Sequence, residues 1–261
     1  MNKDSLANTF IVALTLCLAC SAIVSLAAVG LKPVQDRNKT LDRKKNVLIA
    51  AGLAKKSDSV DVEKIFSTMI EDRIIDLDTG ADVTAEYGDK VAAFDPEAGL
   101  QDPAKSRVLS TAEDIAVLKK RENRAHLYIV KTSESDATPT KYVFPVRGRG
   151  LWSTMKGFLA VNSDLRTASA ITFYEDAETP GLGGEINSEA FQSLWPGKVV
   201  FDDQGEVVLR VSKAASGDRE IASLSGATIT SVGVQKMVQF WLGADGFGKY
   251  IEQLRKGLPA P

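Results

Sequence analysis

The sequence has few of the side chains that bind metal ions and iron–sulfur clusters. It contains two cysteines and one histidine in 261 residues. Cys17 and Cys20 both lie in an apolar run, so the rest of the chain can form neither a disulfide framework nor a cysteine-ligated cluster. A single histidine, His126, excludes a two-histidine metal site and argues against a Ser-His-Asp triad. We therefore predict no metal site and no catalytic residue in this chain.

The sequence also lacks an excess of positive charge and the glycine-rich motifs of nucleotide-binding loops. Its formal net charge is −2, which argues against a nucleic-acid partner. Neither the pattern G-x-x-x-x-G-K-[ST] nor the dinucleotide pattern G-x-G-x-x-G occurs. No segment repeats with a period of about 20 to 50 residues, which excludes solenoids and propellers.

A long apolar run is present near the N-terminus. Residues 9–31 carry no charge and, as a helix, would extend roughly 34 Å, enough to cross a bilayer. The run is longer than the apolar core of a signal peptide, about 7–15 residues, so we predict one transmembrane helix preceded by a short tail, residues 1–8. Basic residues are more numerous after the run than before it, but long domains cross membranes largely regardless of flanking charge. Charge therefore leaves the orientation open.

Beyond this anchor, hydrophobic spacing predicts an α+β fold. Residues 44–56 and 60–74 have helical spacing, with Asp58 or Ser59 as a cap for the second helix. Residues 75–104 are acidic and rich in turn formers, which predicts an irregular segment. Strands are predicted at 124–130, 141–147, 167–175 and 206–212, and helices at 187–195, 231–243 and 246–258.

A cluster of hydroxyl side chains precedes the helix predicted near the C-terminus. The stretch SLSGATITSVGVQ spans residues 223–235. If the helix begins around Thr230 or Ser231, the backbone N–H groups from Gly226 onward lie at its N-terminus, where an anion such as phosphate is favoured. The alternative is an ordinary Ser/Thr cap after a glycine turn. The residues alone leave both interpretations open.

Three motifs in order resemble one known family. The stretch SGATITS at 225–231 is similar to the covalent-flavin attachment motif S/T-G-A-T-x-T. The stretches VRGRGLWSTMKGFLAV at 146–161 and EDAETPGLGGEINSEAFQSLWPGK at 175–198 match the same family. With the apolar N-terminal run, they make the chain resemble the C-subunit family of bacterial Na+-translocating NADH:quinone reductases. Residues 75–104 contribute nothing to the resemblance.

The resemblance implies that FMN is bound covalently, by a phosphoester to Thr230. The rest of the attachment motif would surround the phosphate with backbone N–H groups and hydroxyls, contributed by Ser225, Gly226, Ala227, Thr228 and Ser231. The loop after the third predicted strand would contact the flavin ring through Glu178, Thr179, Gly181, Leu182 and Gly183. Trp152, Ser153 and Thr154 would be neighbours of the flavin. Lys213 would meet the phosphate or the reduced flavin, with a solvated lysine at a strand end as the alternative.

The attachment reaction implies a partner enzyme. Threonine is a poor nucleophile at neutral pH, and no base-like residue adjoins Thr230 in the sequence. The family implies a flavin transferase that uses FAD and acts outside the cytoplasm. This places the soluble domain on the periplasmic side of a bacterial inner membrane. The family motif usually has an aspartate three residues before its Ser/Thr, where this chain has Ala222, so recognition by the transferase is expected to differ.

The expected protein is a single transmembrane helix followed by one mixed sheet-and-helix FMN-binding domain. We expect residues 32–123 to form a membrane-proximal helical and irregular region, and residues 124–261 to form the FMN-binding domain. Such a protein would relay electrons between other subunits of the membrane reductase complex. Two alternatives remain: a flavoprotein like the G-subunit of the Rnf-type ferredoxin:NAD oxidoreductase, and a cofactor-free membrane-anchored scaffold in which Thr230 only caps a helix.

Overall fold

The described part of the chain begins with one long helix. The computed structural model describes residues 6–257 except residues 134, 136 and 137, so most of the predicted tail, and residues 258–261 of the predicted domain, lie outside the described residues. Helix α1, Leu6–Ala51, is 46 residues long, and the side chains of residues 9–31 are exposed. It is long and apolar enough to cross a membrane, as predicted for residues 9–31. The structure divides into two compact units after Arg43.

The second unit is built from short elements around one antiparallel sheet. After α1 come α2 (Val62–Met69), β1 (Ile70–Asp76), three 3-10 turns (Thr84–Glu86, Gly88–Ala93, Glu97–Gln101), β2 (Ser106–Val108) and β3 (Lys120–Glu122). The next strands are β4 (Arg124–Lys131), β5 (Pro139–Arg149), β6 (Thr154–Asn162) and β7 (Ala168–Glu175). The last described elements are α3 (Glu189–Gln192), β8 (Arg210–Ser212), β9 (Glu220–Ala222), α4 (Thr228–Leu242) and α5 (Gly248–Lys256).

The main sheet has five strands in the order β1-β4-β5-β6-β7 and is buried on both faces. Along β4, Leu127 and Ile129 lie in one apolar cluster, and Tyr128 and Val130 lie in the other. This alternation is the two-residue period of a strand, with apolar side chains at both phases. The last turns of α1 and helix α2 cover one face. Helices α4 and α5 cover the other.

The N-terminal part of the second unit differs from the sequence-based expectation. The predicted helix at 44–56 is the last part of α1, which ends before Gly52, whose φ of 76° favours glycine. The predicted helix at 60–74 gives way at Ile70 to β1, which pairs with β4 over its whole length. Residues 44–76 therefore lie in the same compact unit as residues 124–257. The expected boundary at residue 124 does not coincide with this division, because the pairing of β1 with β4 is non-local.

Helix α4 packs very closely on β5. A Cβ atom at Gly148 of β5 would lie 2.8 Å from the Cβ of Met237. A Cβ atom at Gly233 of α4 would lie 2.4 Å from the carbonyl oxygen of Arg149. Because both positions are glycine, the helix lies directly on the strand. This contact brings the N-terminus of α4 next to the turn that joins β5 to β6.

Candidate functional site

A buried carboxylate lies where three segments meet. Glu178 is 5% exposed and accepts hydrogen bonds on both oxygens. Its Oε1 accepts from the N–H groups of Trp152 (2.9 Å) and Ser153 (3.2 Å). Its Oε2 accepts from the Leu151 N–H (3.1 Å) and the Thr230 hydroxyl (2.6 Å). Burial alone would raise the pKa of this carboxyl, but the hydrogen bonds from the hydroxyl and the three N–H groups hold it below its usual value. Glu178 is therefore ionised at neutral pH.

Thr230 lies in the first turn of α4. The residue is 1% exposed, and its hydroxyl donates to Glu178, which lies 52 positions earlier in the chain. The N-cap of α4 is Ala227, and the structure shows no side-chain hydrogen bond capping this helix. The hydroxyl of Ser231 instead accepts from the Leu224 N–H at 3.0 Å. The alternative of an ordinary Ser/Thr cap is therefore wrong.

Two glycines leave room for the carboxylate and the hydroxyl. A Cβ atom at Gly150 would lie 2.5 Å from Oε1 of Glu178. A Cβ atom at Gly183 would lie 2.6 Å from Oγ1 of Thr230 and 2.8 Å from Oε2 of Glu178. A side chain at either position would have to displace Glu178 or Thr230. Glycine at both positions therefore preserves the contact between Thr230 and Glu178.

An open cleft of ≈ 240 Å³ leads to Thr230. Its lining comes from the β5–β6 turn, the loop after β7 and the start of α4: Leu151, Glu178, Thr179, Leu182, Gly183, Gly226, Ala227, Thr228, Ile229 and Thr230. The rim is apolar and exposed, with Trp152 63%, Ile229 58%, and Leu151 and Leu182 each 44% exposed. The indole N–H of Trp152 donates to the Thr179 hydroxyl at 3.1 Å, which holds this ring at the rim. Exposed apolar side chains around a cleft indicate a ligand with an apolar surface.

The floor of the cleft has free backbone donors. The first hydrogen bond of α4 runs from the N–H of Ser231 to the carbonyl of Ala227, at 3.0 Å. The N–H groups of Thr228, Ile229 and Thr230 have no acceptor among residues 6–257 as described. Free N–H groups at a helix N-terminus favour an anion. An apolar rim above these donors and beside a hydroxyl fits a planar ring that carries a phosphate.

Comparison with known proteins identifies the family. The chain is 40% identical to the Na(+)-translocating NADH-quinone reductase C-subunit of Pseudomonas aeruginosa, over 98% of both chains. It is 43% identical to the C-subunit of Haemophilus ducreyi, over 97% of this chain and 96% of that one. The chain belongs to the C-subunit family. Similarity over almost the whole length decides against the alternative of an Rnf-type G-subunit.

The fold and the site agree with membership of the C-subunit family. The crystal structure of Shewanella oneidensis NqrC is similar to this chain with a TM-score of 0.75 and 32% identity, covering 84% of this chain and 99% of that one. The C-subunit of Parabacteroides distasonis is similar with a TM-score of 0.64 and 25% identity, covering 85% and 96%. The model of the FMN-binding domain matches residues 150–243. This range contains the whole cleft, and the prediction of an α+β fold with an FMN-binding domain is confirmed.

The residues predicted from the C-subunit family fall into two groups. Apart from Leu151 and Ile229, every residue that lines the cleft was predicted. The other predicted residues lie around it: Ser225 and Gly181 on exposed loop positions, Trp152 at the rim, and Ser153, Thr154 and Ser231 in the supporting structure. The Ser153 hydroxyl accepts from the Ala177 N–H at 2.8 Å, which joins the β5–β6 turn to the loop after β7. Lys213 follows β8 at an exposed position and is not among the residues that line the cleft. A role for Lys213 remains a prediction.

Sequence reasoning missed three residues of this C-subunit site. Leu151 and Ile229 line the cleft, and Gly150 makes room for Glu178. Leu151 and Ile229 lie inside the recognised motifs. Because leucine and isoleucine are usually buried, the sequence alone predicts core positions for them rather than exposed positions in a cleft. Gly150 stands next to Leu151 in RGLW, and only the position of the carboxylate reveals why it is glycine.

Proposed function

We propose that this chain carries FMN bound covalently by a phosphoester to Thr230. In this proposal it is an electron-relay subunit of a Na+-translocating NADH:quinone reductase. The observation that carries the proposal is the position of the Thr230 hydroxyl, at the floor of a cleft with an apolar rim and free helix N–H groups. Membership of the C-subunit family supports the complex as its setting.

Different residues of the cleft would bind the phosphate and the ring of FMN. The N–H groups of Thr228, Ile229 and Thr230 would hold the phosphate oxygens, where the dipole of α4 also favours negative charge. Leu151, Leu182 and Ile229, with Trp152 at the rim, would cover the flavin ring. FMN, when bound, supplies a group that takes up and releases electrons. The protein positions it and limits its contact with water.

We further propose an inner-membrane protein with the second unit on the periplasmic side. Helix α1 would be the single anchor, and the other subunits of the reductase would give and take the electrons. A separate flavin transferase with FAD as donor would attach the cofactor. A reporter that is active only outside the cytoplasm, fused after residue 257, tests the orientation. An inactive fusion would place the domain in the cytoplasm and remove the proposed route to the transferase.

The test of covalent attachment is the intact mass of the chain purified from its own membrane under denaturing conditions. We expect an added mass of one FMN less one water, and fluorescence that stays with the denatured chain. The variant Thr230→Val should lack both signals. Thr111→Val, which changes an exposed threonine between β2 and β3, is the matched control and should keep both. An unmodified parent chain, or a modified Thr230→Val, would refute the proposal.

A further inference from the structure

We propose that Glu178 orients the Thr230 hydroxyl for the attachment reaction and accepts its proton as the phosphoester forms. This inference rests on the function proposed above. It assigns to this chain, rather than to the transferase alone, one of the groups that carry out the transfer. The family resemblance implies only that Glu178 contacts the flavin. Its hydrogen bond to the Thr230 hydroxyl indicates a role in the attachment reaction instead.

The need for such a group comes from the chemistry of threonine. An unactivated hydroxyl keeps its proton at neutral pH and attacks phosphorus slowly, so it needs a base within hydrogen-bonding reach. The neighbours of Thr230 in the sequence are apolar residues and hydroxyls, none of which is a base. The fold supplies one from a distant loop, because Oε2 of Glu178 lies 2.6 Å from Oγ1 of Thr230. This is the distance of a strong hydrogen bond between a hydroxyl and a carboxylate.

The carboxylate is held in place without help from Thr230. Its three other hydrogen bonds come from consecutive backbone N–H groups, Leu151 to Ser153, in the turn between β5 and β6. This turn is itself closed by a hydrogen bond of 2.8 Å from the Gly150 N–H to the Ser153 carbonyl. The position of Glu178 is therefore set by the sheet, and the hydroxyl adjusts to it. Prepositioning of this kind aids a transfer reaction, because the orientation is fixed before the donor arrives.

The hydroxyl borders the cleft from which a donor would approach. Thr230 and Glu178 both line it, and Gly183 lies against both reacting atoms. With FAD as the donor, Oγ1 of Thr230 forms a bond to the phosphorus on the FMN side of the pyrophosphate. The bond from this phosphorus to the bridging oxygen breaks, and AMP leaves with that electron pair. The proton of the hydroxyl passes to Oε2 of Glu178, and no group is oxidised or reduced.

The experiment follows attachment on the full chain, produced without FMN in a host that lacks the transferase and kept in detergent. Purified flavin transferase and FAD are added, and the gain in intact mass is followed over time at several concentrations of the chain. Glu178→Gln keeps the shape of the side chain but cannot accept the proton. We expect its maximal rate of mass gain to fall by on the order of 10²-fold. Its half-saturating concentration should stay within about twofold of the parent's, since the transferase still docks.

The matched control is Glu185→Gln, which neutralises an exposed carboxylate in the same segment. It should be modified at the parent's rate. A Glu178→Gln chain modified as fast as the parent would overturn the proposal. A raised half-saturating concentration with an unchanged maximal rate would also overturn it, because Glu178 would then only shape the docking surface. A parent chain that gains no mass at Thr230 contradicts the proposed function instead, so the two failures are distinguishable.

A second variant keeps the test valid if Glu178→Gln does not fold, as judged by its thermal midpoint. Gly183→Ala places a methyl group 2.6 Å from Oγ1 of Thr230 and 2.8 Å from Oε2 of Glu178, which forces the two atoms apart. We expect attachment to slow by about tenfold or more. The neighbouring change Gly184→Ala meets only backbone, at 3.2 Å from the Thr179 carbonyl oxygen, and is the control. Equal rates for the two alanine variants would refute the role of Glu178.

Discussion

The hydrogen bond between Thr230 and Glu178 should be measurable in the stability of the chain before any cofactor is attached. Thr230→Val removes the hydroxyl but keeps the branched shape, so it leaves almost no cavity, and the two residues have similar helix propensities. The bond lost is a buried one to a carboxylate, at 2.6 Å, a class that contributes about 1.5–3 kcal/mol. Because three backbone N–H groups still bind the carboxylate, we expect the lower half of that range.

For a unit of this size, each kcal/mol shifts the midpoint of thermal unfolding by about 2–4 °C. Thr230→Val should therefore lower the midpoint by roughly 3–9 °C. The assay is thermal unfolding of the unmodified full chain in detergent, followed by tryptophan fluorescence and circular dichroism. Thr111→Val, at an exposed position, should change the free energy of unfolding by less than about 0.5 kcal/mol. A Thr230→Val chain as stable as the parent would show that the bond does not form.

The difference in stability between the parent and Thr230→Val should become smaller as the pH falls. The hydrogen bonds hold the pKa of Glu178 in the folded chain below its usual value. A carboxyl whose pKa is lowered by folding contributes its full stabilisation at pH values above its pKa in the unfolded chain, about 4.3. This stabilisation is lost as the pH falls through the pKa in the folded chain. The stability gap between the parent and Thr230→Val should therefore be constant near neutral pH and narrow at acidic pH. A gap that widens on acidification would refute the assignment of an ionised Glu178.

Three further changes test the surroundings of the site. Gly150→Ala places a Cβ 2.5 Å from Oε1 of Glu178 and should destabilise the chain by about 1–3 kcal/mol in urea unfolding. Trp152→Ala should leave the free energy of unfolding within about 0.5 kcal/mol, since the ring is 63% exposed, but should change the fluorescence of the bound flavin in the native protein. Trp241→Phe removes the indole N–H that donates to the carbonyl of Arg147 at 2.7 Å and should cost about 1–3 kcal/mol in urea unfolding, because that acceptor is buried.

The elements that local patterns determine were predicted well. Helix α4 ends at Leu242 with Gly243 as its C-cap, one residue before the predicted end, and α3 is capped by Ser188, whose hydroxyl accepts from the Phe191 N–H at 3.2 Å. Strands β4 and β7 follow apolar runs with strand propensity. Non-local pairing explains the error at Ile70. Residues from Ile70 have a spacing that also fits a helix, and only their partner strand β4 decides the outcome.

The candidate site was predictable to the extent that its residues lie in recognisable motifs. Thr230 and Glu178 were both expected near the flavin, from two separate stretches. Their contact with each other was not expected, because no sequence pattern links positions 52 residues apart. Gly150 shows the same limit: its reason for being glycine is a carboxylate oxygen contributed by another loop.

The burial of Thr230 has a consequence for the glycines of the loop after β7. Thr230 is 1% exposed, so its hydroxyl would react only with a donor that enters the cleft, and Gly183 lies directly beside that hydroxyl. A side chain at position 183 would occupy the space next to Oγ1 of Thr230, whether or not a flavin ring lies over the loop. The proposed attachment reaction would therefore need glycine at this position for access, in addition to the contact between Thr230 and Glu178 that glycine already preserves. Gly181 has a φ of 76° and open space around it, so the turn alone accounts for that glycine. Two glycines of one motif thus have separate physical causes, and substitution by alanine should separate them: Gly183→Ala should impair attachment, whereas Gly181→Ala should only strain the loop.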